Sequence, residues 1–157
     1  MGYYLEDFSV GDVFRTQGRT ITESDISSFA NLTWDTNPAH TDVEYAKQGR
    51  FGTTIAHGML GISAAMGLAS TLGIFEGTSI ALLTVEDWTF HSPVFARDTI
   101  TCEIEIVSTR RTSSGTAGVL GRRFRLSNQE GTVVQSGSIS LLIKARSVGS
   151  GRSDPGG

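Results

Sequence analysis

Between Asp98 and Arg110 the chain alternates. Ile100, Cys102, Ile104 and Ile106 fall on one side; Thr101, Glu103 and Glu105 fall on the other. A period of two is the pattern of a strand with one buried face. Three further segments, 79–90 (SIALLTVEDWTF), 118–128 (GVLGRRFRLSN) and 132–145 (TVVQSGSISLLIKA), also read as strands. NQEG at 128–131 and TSSG at 112–115 carry turn residues. Strands joined by such short turns run antiparallel, so the second half predicts a meander of four strands.

The first half has a different period. Residues 12–21 (DVFRTQGRTI) read as a first strand. Thr22 then caps a helix with Glu23 and Asp25 in its first turn, and Ile26, Phe29, Ala30 and Thr33 share one face. That helix ends before DTNPAH (35–40), because a residue preceding proline avoids helical backbone. Residues 41–48 predict one or two more turns. Residues 57–73 predict a long helix, apolar nearly all round and hence buried on most sides. Gly61, Ser63, Ala64, Ala65, Gly67, Ala69 and Ser70 let other backbone approach it closely. The expected class is α+β, one domain in which a curved antiparallel sheet wraps a long apolar helix. Such a sheet leaves a face or an edge for a second copy, so a homodimer is expected.

Composition narrows the function. At 157 residues the chain is one domain's length, able to bury a core without disulfides. The domain is expected over 1–146, with the Gly/Ser/Pro-rich stretch 147–157 as a disordered tail. A net charge of −3 argues against a nucleic-acid partner. No apolar run is long enough to predict a membrane span, and MGYYLEDFSVGD lacks the basic and apolar regions of a signal peptide. A lone Cys102 fits a reducing cytoplasm, and no CxxC or HExxH suggests a metal.

DTNPAH is the one segment that concentrates chemistry. It sets Asp35, Asn37 and His40 around Pro38, directly after Trp34. A turn with a surface histidine would account for these residues equally well in isolation. A second segment, IAHGML at 55–60, decides between the two. Together they resemble the MaoC-like hydratases and dehydratases of the hotdog fold, which include the (R)-specific enoyl-CoA hydratases. The family motif Asp-x-Asn-Pro-x-His matches Asp35, Asn37, Pro38 and His40, and its His-Gly-Met matches His57, Gly58 and Met59. The resemblance extends from about Tyr4 to Ala145.

The resemblance implies reversible hydration of a trans-2-enoyl thioester to a (R)-3-hydroxyacyl thioester, on coenzyme A or an acyl carrier protein, with no cofactor or metal. It implies that Asp35 and His40 hold one water and act jointly as acid and base. Asn37 orients His40 or the loop, and Gly58 at the helix start donates to the developing enolate oxygen. Trp34, Phe51, His57, Met59 and Ser63 are the expected substrate contacts. Trp34 stands where glycine is frequent in the family and narrows the acyl pocket. The family's serine two turns into the helix is Met66 here, which leaves Ser63 as the nearby hydroxyl.

Plainer roles stand beside these. His57 can be a hydrogen-bonded structural residue, His91 a turn residue, and Cys102 an inert buried thiol. Arg110, Arg111, Arg122, Arg123 and Arg125 either bind coenzyme A phosphates or, the better reading, are solvated strand positions. Trp34, Phe51 and Trp88 line an acyl tunnel or are simply core. Two other functions remain: a hotdog thioesterase, and a non-catalytic acyl-binding or partner subunit.

Overall fold

The computed structural model describes residues 2–147; the expected tail, apart from Ser147, lies outside them. The elements run β1 (Val13–Arg15), β2 (Arg19–Thr20), α1 (Glu23–Thr33), α2 (Pro38–Thr41), α3 (Val43–Lys47), α4 (Gly58–Thr71), β3 (Ser79–Phe90), β4 (Thr99–Arg111), β5 (Ala117–Ser127) and β6 (Val133–Lys144). The sheet order is β1-β4-β5-β6-β3, with β2 also on β4, and every pair is antiparallel.

The hairpins follow their turn chemistry. Gly115 N–H donates to Thr112 O and Gly131 N–H to Asn128 O, both at 3.0 Å. Both glycines have a positive φ, +73° and +79°, which a side chain would resist. Thr22 caps α1 as the sequence predicts, and Asp25 returns the bond to the Thr22 N–H, closing a reciprocal capping box.

Two strand expectations are corrected. The four strands are not one meander: β3 lies beside β6, on the opposite side of the sheet from β4's partner β1. The eight residues from His91 to Asp98 connect β3 to β4 and include Pro93. That connection is too long for a tight turn, so it can cross the sheet. The expected first strand is also split. Arg15 pairs with Glu103 and Arg19 with Ile100, so four steps here match three on β4. The extra residue is a bulge, and Thr16 stitches it down by accepting the Cys102 N–H on its hydroxyl at 3.0 Å.

The core lies between α4 and the sheet. Ile100, Cys102, Ile104 and Ile106 point inward as their alternation predicts. Leu120, Phe124 and Leu126 join them from β5, and Ile139, Leu141 and Ile143 from β6. Burying each such aliphatic side chain contributes about 1.5–3 kcal/mol. Burial pushes the Cys102 thiol up to about 12, consistent with an inert thiol. Arg122 lies in the same row and is 1% exposed, so its reading as a solvated position is wrong. The strand's two-residue period carries it inward between Leu120 and Phe124.

Helix α4 is less buried than its composition suggests. Leu60, Gly61, Ala65, Leu68 and Ala69 are buried, while Met59, Ser63, Gly67 and Ser70 are exposed. One sheet covers only one side of a helix. Among the described residues no helix is long and apolar enough to cross a membrane.

Two glycines of α4 respond oppositely to a methyl group. At Gly61 a Cβ would fall on the Gln135 side-chain amide; at Gly67 it would meet nothing within 4 Å. Gly61→Ala is expected to destabilise by about 1–3 kcal/mol through overpacking. Gly67→Ala is expected to stabilise by about 0.5–1 kcal/mol through helix propensity. Urea unfolding of both variants checks the pair, and a loss at Gly67 as large as at Gly61 would contradict it.

Candidate active site

The DTNPAH segment is a helix entry as well as a loop. Trp34 ends α1 in the left-handed region at φ 63°, which turns the chain out of the helix. Asn37 Oδ1 accepts the Ala39 N–H at 3.0 Å and caps α2, with Pro38 at its first position. Asn37 thus shapes the backbone that carries His40; no hydrogen bond joins its side chain to the His40 ring. The Asp35 carboxylate accepts the Asn37 N–H at 3.3 Å.

Two side chain–backbone bonds tie this segment to the entry of α4. His40 Nδ1 lies 2.7 Å from Ile55 O, and His57 Nε2 lies 2.9 Å from Asp35 O. A carbonyl oxygen only accepts, so each facing nitrogen carries the proton. His40 is left with Nε2 as a free acceptor. His57 is left with Nδ1, which is buried and has no partner among the described residues. The rings stack at 3.8 Å, and Phe29 backs His57 at 5.2 Å.

One Asp35 carboxylate oxygen and one nitrogen from each imidazole all lie within 4.8 Å of one another. No direct hydrogen bond joins Asp35 to His40. A water with two bonds of about 2.8 Å at a tetrahedral angle spans about 4.6 Å, so one water fits between an acid and a base here. The same three groups could offer atoms to a cation. The imidazole planes are only 27° apart and stacked, so their in-plane lone pairs run side by side rather than converging.

Gly58 opens α4, and no side chain caps that end. Its N–H is therefore one of the helix's orphan donors, at the positive end of the dipole. A Cβ at Gly58 would come within 2.9 Å of the Phe90 ring. Gly58 lines a cavity of about 350 Å³ with Phe51, Phe90, His91 and Gln135. Phe51 stands edge-on to Phe95 at this cavity. His91 sits at this mouth rather than at a plain turn, bonded to Ser136 Oγ at 2.7 Å.

Other expected contacts are placed elsewhere. Trp34 is 88% exposed and does not line the Gly58 cavity, because its left-handed backbone throws the side chain outward. Met59 points away from the sheet and is exposed. Ser63 donates to Met59 O at 3.0 Å and faces a separate cavity between α1 and α4, so it does not take the place of a hydroxyl near Asp35. His57 is 3% exposed and positions its neighbours rather than opening onto a cavity.

Gln135 is the residue sequence reasoning misses. It is buried, donates to Gly58 O at 3.1 Å and accepts from Trp88 Nε1 at 3.1 Å. It fills the space above Gly61 and fastens the start of α4 to β6. Its only local signal is a glutamine breaking an apolar strand face. Trp88 accordingly serves the core side, against Phe124, rather than a tunnel.

Comparison with known proteins bears on the family and the fold. The family model described as MaoC like domain matches residues 7–122. A (R)-specific enoyl-CoA hydratase from Rhodospirillum rubrum is 38% identical over 104 residues, covering 66% of this chain and 69% of that protein. A solved structure described as a monoamine oxidase regulatory protein from Archaeoglobus fulgius is 36% identical, with a TM-score of 0.85 over 92% of this chain and 96% of that one. A Mycobacterium tuberculosis protein with a double hotdog fold superposes with a TM-score of 0.83, over 99% of this chain and 47% of that one. At 20% identity that likeness speaks for the fold alone. The fold is a single hotdog, and the chain belongs to the MaoC-like dehydratase family.

Proposed function

We propose that the chain is an acyl-thioester hydratase/dehydratase, adding water reversibly across a trans-2-enoyl thioester to give a (R)-3-hydroxyacyl thioester. The observation that carries this reading is the Asp35–His40 pair, within one water's reach and not bonded to each other. In hydration the pair takes a proton from the water as its oxygen bonds to the β-carbon. The π electrons move toward the thioester oxygen, where the Gly58 N–H donates. Such a donor is typically worth about 3 kcal/mol of barrier. The pair then returns a proton to the α-carbon on the same face, and the double bond is consumed. Dehydration is the same path reversed. The relative named (R)-specific enoyl-CoA hydratase supports both the reaction and its stereochemistry. The thioester is carried by coenzyme A or by an acyl carrier protein.

Purified protein is expected to bleach the conjugated-enoyl absorbance of crotonyl-CoA and release a (R)-3-hydroxy product. Asp35→Asn and His40→Ala are each expected to lower kcat/KM by about 10²–10⁴-fold. Full turnover in both variants would refute the assignment. Release of free thiol without enoyl loss would make the chain a thioesterase instead.

The reading also calls for a second copy of the chain. Asp35 is exposed in the single chain, while charge-stabilising catalysis works best where water is excluded. Among the described residues strand β3 is a sheet edge, pairing only with β6, and it exposes Ile80, Leu82, Leu83, Val85 and Phe90. A long apolar edge of this kind is a template for pairing, and two copies related by a two-fold axis would pair it antiparallel. Light scattering is expected to give twice the chain mass, and Val85→Lys to give a monomer with reduced turnover. A wild-type monomer that turns over crotonyl-CoA at full rate would exclude this assembly.

A further inference from the structure

The buried guanidinium of Arg122 plays no part in the chemistry above. It is 1% exposed, yet among the described residues only its Nε finds an acceptor, Ile139 O at 3.3 Å. Among the described residues its Nη2 is buried with no partner and no ion pair involves it. What it has are aromatic faces: Phe75 and Phe124 each lie 5.1 Å from the guanidinium carbon. They favour a cation but leave its hydrogen-bond donors unused. Burial pushes its pKa down to about 10, so it stays charged at neutral pH. A buried charge without a counter-charge is costly, and a satisfied one needs an acceptor in the plane of the fork.

Arg122 lines a cavity of about 670 Å³ between the C-terminal half of α4 and the start of β3. The remaining wall is mixed: Met66, Phe75, Ile80, Leu82 and Leu141 supply apolar side chains beside a comparable share of polar surface. Ser70 and Glu76 stand at its exposed side. This cavity is separate from the one at Gly58, and neither Asp35 nor His40 lines it.

We propose that this cavity binds a carboxylate carried on an apolar chain, with the carboxylate seated on Arg122. The fork supplies paired donors for a carboxylate, and the wall suits a hydrocarbon body. Met66 contributes to that wall, where the family pattern has a serine. Glu76 is the one acid lining the cavity, and it makes no ion pair with Arg122 among the described residues. The proposal does not depend on the hydratase reading, because it concerns binding at a different cavity.

Calorimetry on the full chain tests it with octanoate and its neutral twin 1-octanol. Octanoate is expected to bind at least tenfold more tightly than 1-octanol, and Arg122→Met to erase that preference. Removing an uncompensated buried charge rarely harms folding, so the variant is expected to fold. The wild-type comparison needs no variant: equal binding of the two probes, or none, overturns the proposal. Ser70→Trp, at the exposed side, is expected to weaken octanoate at least tenfold; unchanged binding overturns the location. Two sources carry this chemistry, and kinetics separates them. If the carboxylate is the far end of the acyl substrate, an enoyl-CoA ending in a carboxyl has a lower KM than its methyl-ended twin, and Arg122→Met removes the difference. If it is a separate molecule, the two thioesters share one KM and octanoate raises Tm without competing with either.

Discussion

Two imidazole-to-carbonyl hydrogen bonds hold the site together. His40 donates to Ile55 O and His57 donates to Asp35 O, so each segment supplies a ring to the other's backbone. The two segments are far apart in sequence and meet only because α4 begins beneath the end of α1. Reciprocal bonds of this kind fix both rings' tautomers at once. They leave His40 Nε2, His57 Nδ1 and the Asp35 carboxylate as the ring and acid atoms not used by these two bonds. Without them Asp35 would be an exposed turn carboxylate with no defined partner.

That arrangement depends on how α4 is seated. Gly61 lets the Gln135 amide lie against the helix, and Gln135 in turn holds the first turn through Gly58 O. The start of the helix is thereby placed with no side-chain cap on it among the described residues. A side chain at Gly61 would move Gln135, and a capping side chain at residue 57 would consume donors at the helix start. The helix is held by a polar contact at its start and by apolar packing along the rest of one side.

The sheet is asymmetric, and so are its surfaces. β4 and β5 are paired on both sides and buried on one face, while β3 forms an edge with apolar residues in the open. α4 likewise shows Met59 and Ser70 to solvent. The exposed side of the helix and the exposed strand border the same cavity, and Arg122 reaches that cavity from inside the core. A strand with a strict two-residue period carries whatever residue stands at the inward position, so a charge there is retained only where it has a use or causes no harm.

Much of this protein was legible in one dimension, because strand alternation, helix caps and turn glycines are local effects. The Ile100–Ile106 face, the Thr22 cap, the Gly115 and Gly131 turns and the bounds of β3 and α4 follow from residues a few positions apart. The Asp-x-Asn-Pro-x-His and His-Gly-Met segments identified the family. What the residues alone did not reveal depends on long-range placement. Whether β3 continued a meander or crossed to β6 was left open by an eight-residue connection that permits either, and was decided by backbone pairing with a strand far along the chain. Arg122 was misread because arginine is usually solvated, and only the phase of β5 within the packed sheet sends it inward. Trp34 and Ser63 were placed by backbone direction, outward at a left-handed residue and onto the wrong side of α4. Gln135 gave no sign, since a glutamine's partners, here Gly58 and Trp88, are chosen by tertiary contact. Sequence determined which residues are the candidates for chemistry and the periodicity of each element. Tertiary structure decided which of them meet, because hydrogen bonds and burial act through space and local pattern does not.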